Sequence, residues 1–312
     1  MRVTRGHFKC CIKGSDRSAL MPARVSLFDA DNNYYAPVDT LFYGHGFAAG
    51  WPADWGIKGK QKYFYTQGEF ELNLPCKKIT IIISRGLEYE IYEEEITIQP
   101  DRNLLEVELK RIIKMSELGW YCGDNHSHFD HAPLDYKLTK QDGLSCASAE
   151  GLDFIFFLHK NTDPPVSIET DEVTGHFAYE YGHHPVLNTG VCPPQNLTCS
   201  LKDHGDWFSL NDWVHGNTGG TIIMGHPLFA NHLYSGLLAN DYQTAFMTHY
   251  EIPVNTILGK VDTFELQNNR QSILATWLRI WYRLFNCGIN LPASAGTDAC
   301  ISVKTTLPLG IY

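Results

Sequence analysis

Between Phe8 and Leu109, apolar and polar residues alternate in short runs rich in β-branched and aromatic side chains, broken by Gly, Asp, Asn and Pro. A period of two predicts antiparallel strands. The clearest cover Ala23 to Phe28, ahead of a turn at Asp29 to Asn33, then Lys62 to Thr66, Glu69 to Leu74, Lys78 to Ser84, Tyr89 to Ile98 and Leu104 to Leu109. Strands this short and this regularly spaced predict a β-sandwich of about 110 residues. The texture changes after Arg111. Apolar runs at Phe154 to Leu158, Thr221 to Met224 and Thr263 to Leu266 read as buried strands, and Gln271 to Phe285 has helical spacing. Strands alternating with helices predict an α/β architecture. At 312 residues the chain exceeds the roughly 250 at which single cores stop growing. The expectation is an all-β sandwich over residues 1–114 followed by an α/β domain over residues 115–312.

Charge and cysteine content narrow the function classes. A formal net charge of -10 without any Lys/Arg-rich block would repel a phosphate backbone, so no nucleic-acid partner is expected. No run of about 18 apolar residues predicts a membrane span, and the residues after Met1 lack the apolar core of a signal peptide. The location expected for the chain as given is cytoplasmic, with a secreted or periplasmic one open if the N-terminus was processed. The nine cysteines include no Cys-x-x-Cys pair, and Cys10 and Cys11 are adjacent, which argues against a complete disulfide framework and for a reducing compartment.

Histidine locates the candidate chemistry. Of 14 histidines only His7 and His45 precede residue 115. In Asp124-Asn125-His126-Ser127-His128 two histidines are separated by one residue, and at a strand end both would point the same way and grip one metal ion. Further stations follow predicted strands: Asn161, Glu172 with His176, His226 in Met224-Gly225-His226-Pro227, and Asp298 in Gly296-Thr297-Asp298-Ala299. Each also has a bland reading, as a turn residue, a hydrogen-bonded core histidine or a helix cap. Glu265 and Asn268, at a strand end, either support ligands from behind or face solvent. Asp130, His131, Asp135 and Asp142 are ligands or surface residues. His204, His215, His232 and His249 lie in less patterned segments, and Cys192 to His215 is long enough to form a lid. Trp277, Trp281 and Tyr282 read as helix packing.

The segments Gly119-Trp120-Tyr121-Cys122-Gly123-Asp124-Asn125-His126-Ser127-His128, Ala149-Glu150-Gly151-Leu152-Asp153, Glu172-Val173-Thr174-Gly175-His176-Phe177 and Gly296-Thr297-Asp298-Ala299 resemble motifs of the polymerase and histidinol phosphatase (PHP) superfamily, most closely its CehA/McbA branch of metallohydrolases. Met21-Pro22-Ala23-Arg24-Val25 and Phe64-Tyr65-Thr66-Gln67-Gly68-Glu69-Phe70 are similar to the carboxypeptidase-regulatory-like sandwich often fused ahead of it. The resemblance implies a distorted (β/α) barrel of PHP type. It also implies divalent ions, two of Zn, Mn or Fe, held by His126, His128, Glu172, His176, His226 and Asp298. The activity implied is hydrolysis of a phosphoester, carboxyl ester or carbamate of a small-molecule substrate by a metal-bound hydroxide, with His159 protonating the leaving group. There are departures. Asp298-Ala299-Cys300 stands where many relatives have Asp-x-His, and Leu158-His159-Lys160-Asn161 where many have Thr-Asp-His-Asn. Glu180 with His183 offers a second Glu/His pair. A rival class is a non-catalytic metal- or carbohydrate-binding protein with an eroded site.

Overall fold

A computed structural model describes residues 4–38, 63–128, 140–157, 186–187, 207–225, 252–267, 274–297 and 299–300. The chain divides into two compact units, the first comprising residues 1–124, 129–155 and 299–311, the second residues 125–128, 156–298 and 312.

Two sheets share the core of the first unit. In one, β1 (Arg5–Gly14) runs antiparallel to β5 (Glu69–Pro75) and parallel to β8 (Arg102–Leu109), while β2 (Arg17–Leu20) folds back on its end. In the other, β4 (Phe64–Thr66), β3 (Ala23–Phe28), β6 (Lys78–Ser84) and β7 (Tyr92–Thr97) lie side by side, all antiparallel. The alternation along each strand decides what goes inside: Phe8, Cys10 and Ile12 from β1 meet Ile79, Ile81 and Ile83 from β6, with Val25, Leu27, Phe64 and Phe70 between. Burying each such side chain is worth about 2 kcal/mol, and Phe64 and Phe70 add an edge-to-face contact at 5.0 Å. Gly68 turns the chain from β4 into β5 at φ 114, where a Cβ would strike the Met21 backbone nitrogen at 2.6 Å.

The turn after β3 is built on one carboxylate. Asp29, 1% exposed, accepts hydrogen bonds at Oδ1 from the backbone N–H groups of Asp31 (2.9 Å) and Asn33 (3.0 Å), and at Oδ2 from the Tyr35 hydroxyl (2.6 Å). The Lys77 ammonium pairs with Oδ2 as well. Burial alone would raise the pKa of Asp29, but bonds from Lys77, Tyr35 and Asn33 outweigh it and hold the carboxyl well below the usual range. A depressed folded-state pKa gives stability that is fully present above the unfolded value of about 3.9 and is lost as pH falls towards the folded one. Asp29→Asn is therefore expected to cost about 2 kcal/mol at pH 7, a figure already discounted for the half-exposed Lys77. Urea midpoints of wild type and variant should draw together at pH 3, and a gap that stays constant would refute this account.

The first unit also contains η1 (Met115–Leu118), ended by Gly119, and α1 (Lys140–Ala149). Residue Glu150, just past α1, lies 1% exposed among residues of β3 and β4: its Oε1 accepts from the Tyr65 hydroxyl at 2.7 Å and pairs with Arg24 Nη1 at 3.2 Å. Arg85, following β6, donates Nη1 to the carbonyls of Pro22 and Ser148. Strands β9 (Gly123–His128) and β10 (Phe154–Phe157) each start in the first unit and end in the second.

In the second unit the sheet order is β11 (Val186–Leu187), β12 (Thr221–Met224), β13 (Thr263–Gln267), β14 (Ala293–Ala295), with β11 antiparallel to β12 and the other pairs parallel. Parallel neighbours need a crossover. The one between β12 and β13 includes α3 (Ile252–Ile257), and the one between β13 and β14 includes α4 (Leu274–Asn286); α2 (Trp207–Asn217) precedes β12. Trp277 and Leu284 of α4 pack with Ile222, Met224 and Phe264 of the sheet and Val214 of α2. The Trp281 indole N–H donates to the Leu291 carbonyl at 2.7 Å, tying the helix to the segment that enters β14.

The barrel expected from the sequence is not what forms. The described strands belong to four open sheets of three or four strands, and β11 and β14 each have a single neighbour in theirs. Among the described residues fifteen strands stand against four short α-helices. The (β/α) barrel of PHP type is thus corrected to a β-rich chain of open sheets. Alternation of buried strands with helices is common to open and closed parallel sheets, so the pattern carried the crossovers and not the closure. No helix among the described residues is long and apolar enough to cross a membrane.

Candidate functional site

Strand β9 carries the His-x-His motif through a sequence, Gly-Asp-Asn-His-Ser-His, whose residue types have little intrinsic strand preference. Its conformation is imposed from outside. Ser127 Oγ donates to the Phe156 carbonyl at 3.0 Å, and the His126 and Ser127 side chains are fully buried.

The partner of His126 follows from the pleat of β13. Successive side chains of a strand face opposite ways. Phe264 is taken into the core with Trp277, so Glu265 projects from the other face, where it meets His126. Both Glu265 carboxylate oxygens lie 3.0 Å from His126 Nδ1, and both side chains are 0% exposed. Directly beyond Glu265 the register between β13 and β14 slips, Glu265 opposing Ser294 and Gln267 opposing Ala295. Such a bulge re-aims the strand at that point.

A third element closes on the same residue. Gly296 follows β14, and a Cβ built there would come 2.2 Å from His126 Cβ, 2.7 Å from Asn125 Oδ1 and 2.9 Å from the His126 backbone nitrogen. No side chain fits, which is why the polypeptide can pass so close to His126 at this position. His126 is thus met by a carboxylate at its ring and by the Gly296 backbone at its Cβ and backbone nitrogen.

A divalent ion suits this donor chemistry. With Nδ1 engaged by Glu265, any ligation by this ring would fall to Nε2, and a carboxylate on the far nitrogen is the usual support of a metal-binding imidazole. Among the described residues, no three His, Cys, Asp or Glu side chains gather round a common point. His128 lies on β9, its side chain outside the described residues. Glu172, His176, His226 and Asp298, with His159, Glu180, His183 and the alternative station Asn161, also fall outside them. The structure therefore brings together His126, Glu265 and Gly296. The first was named from the sequence as a ligand, the second was left between support and solvent, and the third was quoted only as part of a motif. A signal for Glu265 was present: a carboxylate inside the apolar run Thr263 to Leu266 must be paired if it is buried.

Other titratable groups are peripheral to this arrangement. His215 Nε2 lies 3.1 Å from Asp262 Oδ2, both partly exposed, and that oxygen also accepts from the Ile222 backbone N–H. Burial raises the Cys122 thiol above its ordinary pKa, with Asp153 adding to the effect, so it is not a reactive thiolate.

No family model matches the chain, and no curated protein matches it. Solved structures similar to part of it include the Bacillus anthracis TIE protein, at 14% identity and TM-score 0.22 over 35% of this chain and 16% of that one. Another is GBS52, the minor pilin of the Gram-positive pathogen Streptococcus agalactiae, at 13% identity and TM-score 0.25 over 36% of this chain and 47% of that one. The chain spans less than half the length of either.

Proposed function

We propose that this chain is a metal-dependent hydrolase of ester-type bonds in small molecules. The observation that carries the reading is the buried contact of His126 with Glu265, because a histidine of the sequence motif is already held by a carboxylate in the manner of a metal ligand. The motif resemblance to PHP metallohydrolases supports the same reading, from which we take the ligand set and not the barrel. His126, His128, Glu172, His176, His226 and Asp298 would hold the ions, two of Zn, Mn or Fe.

A bound divalent ion supplies Lewis acidity, which polarises the scissile group and lowers the pKa of water. The chain's own part is to hold His126 in one orientation through Glu265, to keep solvent from that ring by burying it, and to deliver a proton to the leaving group from His159. Few Arg or Lys side chains accompany the motifs, Lys160 being nearest in sequence. That scarcity leaves phosphoester, carboxyl ester and carbamate together as the substrate class.

Plasma mass spectrometry of the purified chain, with a chromogenic panel of the three ester types, tests the reading. About two equivalents of metal and turnover of at least one ester are expected, and both should vanish together in His128→Ala. A His128→Ala protein with normal metal content and normal turnover would sink the proposal. Stoichiometric metal without turnover of any ester would favour the rival, a non-catalytic binding protein.

A further inference from the structure

We propose that the apolar surface carried by Leu87, Ile112, Ile113, Leu118, Trp120 and Tyr121 is the contact through which two copies of this chain associate. The proposal is independent of the hydrolase reading.

Hydrogen bonds bring the three segments that bear these residues together. Beyond β8 the chain runs back beside the segment that follows β6: Tyr89 and Arg111 form an antiparallel bridge, Ile112 donates its backbone N–H to the Glu88 carbonyl at 2.8 Å, and Glu90 donates its own to the Lys110 carbonyl at 2.9 Å. The Met115 backbone N–H then reaches Glu88 Oε1 at 2.8 Å. Gly119, at φ 79, ends η1 in the left-handed conformation, and the Trp120 N–H folds back onto the Met115 carbonyl at 3.1 Å. Leu87 therefore adjoins, through Glu88, the segment that carries the other five. All belong to the first unit, yet its core takes in none of them: the six are between 43% and 73% exposed, and η1 contains no buried residue.

So much exposed apolar surface is more than a chain that stays alone usually carries. At these exposures six side chains of this size present on the order of 800 Å², above the roughly 300–600 Å² of the largest apolar patch on a typical monomer. It is comparable to the ~800 Å² that each partner gives to a standard interface. Trp and Tyr among aliphatic residues, with charges at the edge, is also the make-up of an interface centre and its rim.

The rim decides what can lie there. Lys110 pairs with Glu90, Arg111 with Glu88 and Lys114 with Glu117, so bases and acids stand one to one beside the apolar residues. An anionic membrane or a strongly charged protein presents one sign, and half of these groups would oppose it. A second copy presents both signs, and across a two-fold axis each base of one copy can face an acid of the other. Other edges of the first unit are closed to such a partner. Strand β7, last in its sheet, carries Glu93, Glu94 and Glu95, and like charges on an edge keep copies apart.

The test is sedimentation velocity of the full chain across a dilution series, with Leu118→Glu, Trp120→Glu and, as a control elsewhere, Ile257→Glu, which is equally exposed on α3. Wild type and the control are expected at twice the chain mass at high concentration. Leu118→Glu and Trp120→Glu should each raise the dissociation constant by at least about 30-fold, with circular dichroism unchanged because neither side chain is part of a core. A photo-crosslinking residue in place of Leu118 should join two copies, with the crosslinked peptides lying within residues 87–121. A dimer that survives both substitutions, or that crosslinks outside this region, overturns the proposal. So does a monomer at every concentration, whether the probe then joins Leu118 to another segment of its own chain or to none, the result left for a foreign partner.

Discussion

Replacing Arg24 with Met is expected to cost the first unit about 4 kcal/mol, the cost of leaving a buried carboxylate without its counter-charge. Arg24 is four-fifths buried; its Nη1 lies 3.2 Å from Glu150, its Nε donates to Ser84 Oγ at 3.1 Å, and its guanidinium lies 5.4 Å from the Tyr63 ring centroid. Methionine keeps the volume and loses all three. Burial already pushes the Glu150 carboxyl up from its ordinary pKa, while Arg24, the Tyr65 hydroxyl and Arg85 pull the other way. A carboxyl whose folded-state pKa is raised makes the fold less stable as pH climbs from the unfolded value of about 4.3 towards the folded one. Without Arg24 that folded value rises further, so the penalty should be smaller at pH 5 than at pH 8. Urea denaturation at both values checks this. Equal penalties would mean that Arg24 acts by packing alone. Arg24→Met/Glu150→Met should cost less than the sum of the single changes, since replacing both charges of a buried pair is far cheaper than removing one.

Trp277→Ala should cost the second unit a similar amount, about 4 kcal/mol. The side chain is fully buried, among the largest so placed in the chain, and sits where Val214, Met224 and Phe264 converge on α4. Its indole N–H meets no acceptor among the described residues. That detail separates two substitutions: Trp277→Phe loses volume but also relieves an unsatisfied donor, so it should cost only about 1 kcal/mol. Fluorescence-detected urea midpoints give the order, and a Phe variant as unstable as the Ala one would show that the donor has a partner. Because Phe264 and Glu265 are adjacent on β13, the metal uptake proposed for His126 should also weaken in Trp277→Ala.

Much of the first unit was legible because a sandwich needs only the period of two. Strands β3, β5, β6 and β8 fall within a residue or two of the runs that predicted them, and the Asp29 turn is where its Asp and Asn residues placed it. β1 was not among the strands singled out in sequence, although Phe8, Cys10 and Ile12 alternate inward with Lys9, Cys11 and Lys13 between them. Its parallel union with β8 joins residues nearly a hundred positions apart and has no local signature. The partnership of Glu150 with Arg24 was hidden likewise, since nothing in Ala-Glu-Gly-Leu-Asp announces a counter-ion. In the second unit α4 and the strands β12 and β13 could be read from apolar runs, but open and closed sheets share those runs. Of the candidate site, His126 was visible through its spacing from His128, whereas its bond to Glu265 required knowing which face of β13 turns towards the core.

The reach from Arg24 to Glu150 has a consequence for a chain still being made. At synthesis rates of about 5–20 residues per second, the sandwich strands through Leu109 leave the ribosome several seconds before Glu150 does. Throughout that interval β3 carries a guanidinium destined for an interior that lacks its carboxylate, so the sheet is complete in outline while one of its strands holds an unanswered charge. Emergence of α1 and Glu150 then acts as a latch, and a pause in translation before residue 150 would prolong exposure of a nearly finished sandwich to chaperones and proteases. Synonymous changes that slow decoding of the segment ahead of α1 should lower the yield of intact protein without altering a single residue.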